Sequence, residues 1–253
     1  MADVKAQAMN EHTVKAFDEE LTRIRGLVSE MGARASTSIA RAVAALDHRE
    51  RDAAAQIVAD DRRVDELEAE VERSVVQTIA LRAPLADDLR AMIAALKIAA
   101  VLERVGDYGK SIAKRVPLLS HDRNIDAIPL LRTMGEMVVE MLDDVLTAYA
   151  SGDADLAADV CSRDKNVDDF YNSIFRALIT YMMENPRVIS EAAHLLFVAK
   201  NLERAGDHAT NVAEMVVYTV TGQRMEEREK GKDPTAFPDR RHHHRWPAPD
   251  QAG

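Results

Sequence analysis

The stretch VLERVGDYGK, residues 101–110, returns one hundred residues later as NLERAGDHAT, residues 201–210. A second pair of similar segments lies upstream of each copy: DDRRVDELE at 60–68 corresponds to RDKNVDDFY at 163–171. Similarity that recurs at one fixed period is the sequence signature of a repeat architecture. We therefore predict that the chain consists of two similar units in tandem, related by an internal duplication of about 100 residues.

The sequence around these segments has the periodicity of long amphipathic helices. From Val14 to Leu46, apolar residues recur at alternating spacings of three and four, which predicts one helix with a single buried stripe. Similar runs follow between turn-like breaks at LRAPLADD and ENPRV, where prolines are tolerated at a helix start but not inside. Each half therefore has three helices of about 30 residues, and short connections make neighbouring helices antiparallel.

The predicted fold class is all-α, with six long helices in two tandem, pseudo-symmetric three-helix bundles. Hydrophobic residues make up 47% of the chain and aromatic residues only 4%, so the core must be aliphatic. We expect the first repeat to span residues 11–119 and the second to span 126–221. The tail, 222–253, has mixed charge, four prolines and no periodicity, and is predicted to be disordered.

Composition excludes several classes of function. The net charge of −10 argues against nucleic-acid binding, which requires a basic face. The single cysteine, Cys161, excludes an intrachain disulfide and suits a reducing compartment. The N-terminus lacks the apolar segment of a secretory signal, and the most apolar run, 91–102, contains Lys97 and is too short to span a bilayer. We predict a soluble, cytoplasmic protein.

Acidic residues interrupt the apolar stripes in both halves. Each half carries two acid-x-x-x-acid pairs on adjacent antiparallel helices, with a glycine between the acids of the second pair. The eight acids are Asp61, Asp65, Glu103, Asp107, Asp164, Asp168, Glu203 and Asp207. Carboxylates brought together on or beside a core stripe repel one another unless a cation intervenes. Ligand sets of oxygen alone suit hard ions such as Mg²⁺, Mn²⁺ or iron.

Two other interpretations of these acids remain open. Arg62, Arg63, Arg104 and Arg204 could neutralise them as ordinary salt bridges in a purely structural bundle, and an i, i+4 acid pair alone is common on solvated helix faces. A carboxylate-bridged metalloenzyme, such as a metal-dependent phosphohydrolase, is the alternative function, but it requires an open coordination position. No catalytic motif is present in the sequence, so we predict that the protein is not an enzyme.

The chain resembles the PhoU family of phosphate-transport accessory proteins from about Glu11 to Gly222. The resemblance rests on the D-x-x-V-D and later L-E-R-x-G-D motifs in each half, and on the segments FDEELTRIRGLVSEMG and DLRAMIAALKIAAVLERVGDYGKSIAKR. It implies a cytoplasmic negative regulator of the phosphate-starvation response. Such a regulator couples the phosphate ABC transporter, through its ATPase, to a sensor histidine kinase and restrains phosphate uptake.

The resemblance also implies a homodimer that meets the membrane only through its partners. In some family members the acidic motifs bind metal clusters, and all eight acids of this chain match those positions. The implied cofactors are divalent or trivalent ions with oxygen ligands: Mg, Mn, Fe or Zn. Tyr108 and Lys114 stand where the second half has His208 and Glu214, which leaves open a difference between the two sites in metal or occupancy.

Overall fold

The computed structural model describes residues 2–120 and 127–225, with side chains from residue 17 onward, and within these ranges all regular structure is helical. The helices are α1 (Ala2–His48), α2 (Arg51–Asp60), α3 (Arg62–Arg82), α4 (Ala86–Ala113), α5 (Ile128–Ser151), α6 (Ala154–Glu184) and α7 (Ile189–Thr221). Short 3₁₀ turns follow α4 and precede α7. Because α2 and α3 together form the second predicted helix, the expectation of six long helices is confirmed. The predicted disordered tail lies, from residue 226 onward, outside the described residues.

The second predicted helix is interrupted at Asp61, which the periodicity did not indicate. The backbone of Asp61 keeps helical angles, φ −57° and ψ −34°. The Val64 N–H, however, donates to the Asp61 carbonyl at 2.8 Å, three residues back rather than four. The interruption is therefore a local tightening of the helical hydrogen bonding and not a turn. It falls at one of the predicted site residues.

The turns that end the helices use different local chemistry in the two halves. In the first half, Arg49 follows α1 in the left-handed region, at φ 58°. At the equivalent position of the second half, Gly152 ends α5 at φ 69°, and the Asp153 side chain caps α6 by accepting from the Leu156 N–H at 2.9 Å. Glycine adopts the left-handed region without the steric cost that Arg49 carries. The first-half turn is therefore the more strained of the two.

Helices α1 and α5 cross at two equivalent notches, each formed by a glycine of one helix that leaves room for an aliphatic side chain of the other. A side chain at Gly32 would collide with Leu146, and a Cβ at Gly135 would lie 2.8 Å from Val43 Cγ2. Gly32 and Gly135 are 103 residues apart in sequence, as are Val43 and Leu146. The same glycine-to-aliphatic contact is therefore made twice, and it relates the two halves by a pseudo-twofold axis between α1 and α5.

Ion pairs at equivalent positions have reversed polarity in the two halves. Arg41 on α1 donates to Asp60 on α2 at 2.7 Å. At the positions 103 residues later, Asp144 on α5 accepts from Arg163 on α6 at 2.6 Å. The contact between the first and second helices of each repeat is thus kept while its charges are exchanged.

Helices α4 and α7 pack antiparallel to each other across the pseudo-twofold axis. Near the start of α4, Arg90 lies over the ring of Tyr218, 5.6 Å from its centroid. Beyond the end of α4, Arg115 lies over the ring of Phe197 at 4.9 Å. Helices α1, α4, α5 and α7 form the centre, whereas α2 and α3 flank α1 and α4, and α6 flanks α5 and α7.

The buried side chains form one continuous aliphatic core that runs through both repeats. The stripe predicted on α1 is buried as expected, from Ile24 to Leu46. Leu81, at the end of α3, is 66% exposed, and Leu89, near the start of α4, is 38% exposed. Among the described residues, no helix is both long enough and apolar enough to cross a bilayer.

Candidate functional site

The first acidic site lies where α3 packs against α4. Asp61 is only 5% exposed, whereas Asp65 is exposed and Glu103 and Asp107 are partly buried. A Cβ at Gly106 would lie 3.4 Å from Asp61 Oδ1 and 3.3 Å from Val64 Cγ1. The glycine of the LERVGD motif therefore leaves room for α3, and Asp61 in particular, to lie directly against α4.

A lysine occupies the buried end of this first site. Lys110 Nζ donates to Asp61 Oδ2 at 2.6 Å and to Asp107 Oδ1 at 3.2 Å, so one ammonium joins carboxylates of two helices. The hydrogen bond that Lys110 donates to Asp61 raises the pKa of Lys110 above its ordinary range. The sequence analysis missed Lys110, although its position three residues after Asp107 places both on one helix face.

A further acid, Glu68, belongs to the first site and was also missed. Burial raises the pKa of Glu68, and repulsion from Asp65 adds to the effect. Burial likewise raises the pKa of Glu103, which Asp107 and Glu68 repel. Because Glu68 lies three residues after Asp65 on the same helix, the spacing could have indicated it. The first site is therefore a carboxylate cluster with one lysine at its buried end.

The second acidic site lies between α6 and α7 at equivalent positions. Asp164 is 6% exposed and Glu203 8% exposed, whereas Asp168 and Asp207 are partly buried. A Cβ at Gly206 would lie 3.4 Å from Val167 Cγ1 and 3.9 Å from Asp164 Oδ1, in ordinary van der Waals contact. Both repeats thus place a buried aspartate against the glycine of the L-E-R-x-G-D motif.

The lysine of the second site stands at the other end of its cluster. Lys200 Nζ donates to Glu203 Oε1 at 2.9 Å and lies 5.1 Å from the centroid of the Tyr171 ring. The other oxygen, Glu203 Oε2, is buried and has no hydrogen-bond partner among the described residues. Burial raises the pKa of Glu203; the hydrogen bond from Lys200 opposes this rise, and repulsion from Asp207 and Asp168 adds to it.

For two of the buried acids, Asp61 and Glu203, the counterion is not one of the predicted arginines. Arg62 and Arg63 pair with Glu66, at 3.1 and 3.4 Å. The cations at hydrogen-bonding distance from Asp61 and Glu203 are lysines instead. The interpretation of the acids as salt-bridged is therefore correct in kind for these two, but it assigned the wrong residues.

The two acidic sites differ in how well their oxygen donors suit a metal ion. All eight predicted acids offer oxygen atoms, which hard ions prefer. Among the described residues, however, no three Asp, Glu, His or Cys side chains converge closely enough to hold an ion as they stand. The unpartnered oxygen of Glu203 fits a cation in the second site. In the first site the buried carboxylate, Asp61, already has Lys110.

An aromatic pair links α4 and α7 between the two sites. The Tyr108 hydroxyl and His208 Nε2 are 3.0 Å apart, and their rings stack with centroids 5.5 Å apart and planes 9° apart. Tyr108 directly follows Asp107 and His208 directly follows Asp207. Burial raises the pKa of Tyr108. The difference between the repeats at this position is therefore a complementary contact across the pseudo-twofold axis.

Comparison with known proteins extends over both repeats. Residues 28–116 and 131–216 match the family model described as the PhoU domain. The chain is 53% identical over 222 residues to a protein of Zymomonas mobilis subsp. mobilis named phosphate-specific transport system accessory protein PhoU homolog, covering 88% of this chain and 94% of that one. It is 47% identical over 218 residues to a protein of the same name from Caulobacter vibrioides, covering 86% and 95%.

Solved structures give the same result for the fold. PhoU from Pseudomonas aeruginosa superposes with a TM-score of 0.79 at 36% identity, over 82% of this chain and all of that one. The phosphate transport system regulatory protein PhoU from Streptococcus pneumoniae superposes with a TM-score of 0.78 at 26% identity, over 83% of this chain and all of that one.

Proposed function

The chain belongs to the PhoU family, and from this premise we propose that it is an accessory protein of phosphate-specific transport that negatively regulates the phosphate-starvation response. The observation that carries the proposal is the 53% identity, over 88% of the chain, to a relative named as an accessory protein of that system. Identity at this level along both repeats supports a common role and not only a common fold.

The proposed mechanism is regulation by protein–protein contact in the cytoplasm. The protein couples the ATPase of the phosphate ABC transporter to a sensor histidine kinase, acts as a homodimer and meets the membrane only through these partners. This mechanism is supported by several apolar side chains that are exposed around the α3–α4 connection, because a group of such side chains is typical of a contact surface. They are Leu81, Leu85, Leu89 and Ile93. Leu85, between α3 and α4, is 80% exposed, and Met183, at the end of α6, is 79% exposed.

We propose further that the acidic sites stiffen the scaffold by binding metal ions. The acids of α3 and α4, and those of α6 and α7, would hold an ion between two helices and fix their relative position. The ion would supply positive charge and Lewis acidity. Glu203 supports this role most directly, because its unpartnered oxygen is buried and repelled by Asp207 and Asp168. The role is structural in this proposal, and the protein is a regulator and not an enzyme.

Deleting the gene in its own host tests the regulatory proposal. A phosphatase that the host represses at high phosphate is assayed in the deletion strain, with and without a plasmid copy of the wild-type gene. We expect phosphatase activity to rise at high phosphate in the deletion strain and to fall again with the plasmid. Repression that persists without the gene would contradict the proposal.

A further inference from the structure

The chain folds back onto the bundle after α7. Gly222 ends α7 in the left-handed region at φ 73°, and a Cβ there would lie 2.9 Å from Arg90 Nη1, so the turn lies against α4. Three residues later, the Met225 Sδ lies 3.9 Å from the Cys161 Sγ of α6, and Met225 packs against the core. The described residues therefore end with Met225 held on the surface of the bundle.

A groove of about 680 Å³ lies between α4 and α7 where the described chain ends. Arg224 and Met225 form part of its wall. Three large apolar side chains in it are exposed: Leu89 and Tyr218 are each 38% exposed, and Ile93 is 39% exposed. Exposed apolar side chains gathered in one groove are typical of a contact surface.

The groove is basic, although the protein as a whole is acidic. Three of its charged lining residues are basic (Arg90, Lys97 and Arg224), and one, Glu214, is acidic. The whole chain has a net charge of −10. The groove therefore suits an occupant that brings carboxylates together with an apolar side chain.

The sequence that follows Met225 supplies both kinds of group. Three of its first four residues are glutamates, at 226, 227 and 229, and the fourth is Arg228. Phe237 follows them, after a glycine and a proline that favour a change of chain direction.

We propose that residues 226–237 dock in the groove between α4 and α7 of their own chain. The glutamates face Lys97, and the ring of Phe237 covers Leu89 and Ile93. These three groove residues lie at i, i+4 and i+8 on α4 and so share one helix face. The docking does not depend on the proposed function. It would cover Leu89 and Ile93, which belong to the apolar surface proposed above for contact with a partner.

The covalent connection to Met225 favours this occupant over a separate molecule. A segment joined to the wall of a groove by a short linker has an effective concentration there on the order of millimolar, so weak contacts are sufficient to hold it. The segment therefore does not need a core of its own, which its composition could not provide.

A single tryptophan placed at residue 237 of the full chain tests the docking. The chain has one tryptophan, Trp246, so Trp246→Phe combined with Phe237→Trp moves the fluorescent residue to the proposed contact. We expect its emission to lie at a shorter wavelength than that of free tryptophan amide, and acrylamide to quench it several-fold less.

Two substitutions in the groove should release the segment. Ile93→Asp, made in the reporter chain, puts a carboxylate where Phe237 docks and should restore the emission and quenching of an exposed tryptophan. Ile179→Asp is its matched control, since Ile179 lies on α6 outside the groove and is 36% exposed. Lys97→Glu should release the segment by repelling the glutamates, whereas Lys114→Glu, also on an exposed lysine, should not.

Trypsin provides a second measurement on the chain without the tryptophan substitutions. Cleavage after Lys230 and Lys232, followed by mass spectrometry, should be several-fold faster in Ile93→Asp than in the wild type, because a docked segment cannot enter the protease. Equal cleavage of the two chains would overturn the proposal. An emission shift that grows with protein concentration would assign the groove to a second copy of the chain, and would likewise overturn docking within one chain.

Discussion

Lys110 Nζ and Asp61 Oδ2 lie 2.6 Å apart on two antiparallel helices, where the Asp61 side chain is only 4% exposed. Asp61 also lies against Gly106, so the same carboxylate contacts the neighbouring helix through the glycine gap and through the lysine. The packing of α3 on α4 thus includes an ion pair whose carboxylate is buried. Removing a single partner of such a pair leaves a buried charge without compensation.

Lys110→Met is therefore expected to lower the free energy of unfolding by about 3 kcal/mol, the low end for breaking a buried pair because Lys110 is itself partly exposed. Chemical denaturation at pH 7 in chelator measures the change. Lys114→Met is the matched control, since Lys114 is exposed one turn further along the chain and should change stability by no more than about 0.5 kcal/mol. Equal losses of unfolding free energy in the two variants would show that the pair between Lys110 and Asp61 does not stabilise the fold.

Two glycine-to-alanine substitutions are expected to change the stability of the fold in opposite directions. A Cβ at Gly26, inside α1, would meet no atom within 4 Å, so Gly26→Ala should stabilise the protein by about 1 kcal/mol through helix propensity. A Cβ at Gly109 would lie 3.0 Å from the backbone carbon of Ser38, so Gly109→Ala should destabilise by about 2 kcal/mol as α1 and α4 are forced apart. Thermal unfolding of both variants measures this difference, and a shift of the same sign in both would contradict it.

The stability of the metal-free protein is expected to fall as pH rises from about 4.5, the ordinary pKa of glutamate, towards neutrality. Glu203, Glu103 and Glu68 all have raised pKa values in the folded state. A carboxyl whose pKa is raised by folding stabilises the folded state while it is protonated, and this contribution is lost as pH climbs through the folded pKa. Urea denaturation in chelator across pH 5–8 measures the slope.

Glu203→Gln is the control for this pH dependence, because the amide does not titrate and keeps the shape of the side chain. The variant should lose part of the slope and gain stability at pH 8 relative to the wild type. An unchanged slope in Glu203→Gln would mean that this carboxyl does not titrate as its surroundings imply.

The fold could be predicted from the sequence because its signals are local and repeated. The alternating spacing of three and four between apolar residues predicted the buried stripe of α1, and the second L-E-R-x-G-D segment predicted the tandem repeat. The crossing of the two repeats could not be predicted. It depends on the notches at Gly32 and Gly135, which meet residues more than 90 positions away, and a helix pattern in one segment carries no information about its distant partner.

For the site, the sequence located the acids but not their counterions. Arginines adjacent to the acids in sequence were the predicted counterions, but lysines donate to the buried carboxylates of Asp61 and Glu203. Lys110 and Lys200 lie three residues from their acids, and only the relative placement of α3 on α4 and of α6 on α7 decides which lysine reaches a buried oxygen. The unpartnered oxygen of Glu203 is likewise a property of packing.

The contact between Tyr108 and His208 is expected to couple the two repeats. Their hydrogen bond, at 3.0 Å, joins α4 to α7, and each of the two residues directly follows an acid of one site. Tyr108→Phe should lower the free energy of unfolding by about 1 kcal/mol, the net worth of one such bond. A double-mutant cycle with His208→Leu isolates the coupling; a coupling energy near zero would show that stacking, and not the hydrogen bond, holds the pair.

Substituting the exposed apolar residues is expected to weaken contact with a regulatory partner without lowering the stability of the fold. Leu85 is 80% exposed between α3 and α4, so Leu85→Ser should change the melting temperature little. If the α3–α4 connection contacts a partner, the variant should raise the phosphate-repressed phosphatase at high phosphate, as the gene deletion does. Met183→Ser, at the α6–α7 connection, tests the corresponding end of the second repeat in the same assay. Full repression in both variants, with wild-type protein levels, would exclude these connections as the regulatory surface and direct the search to the helix faces instead.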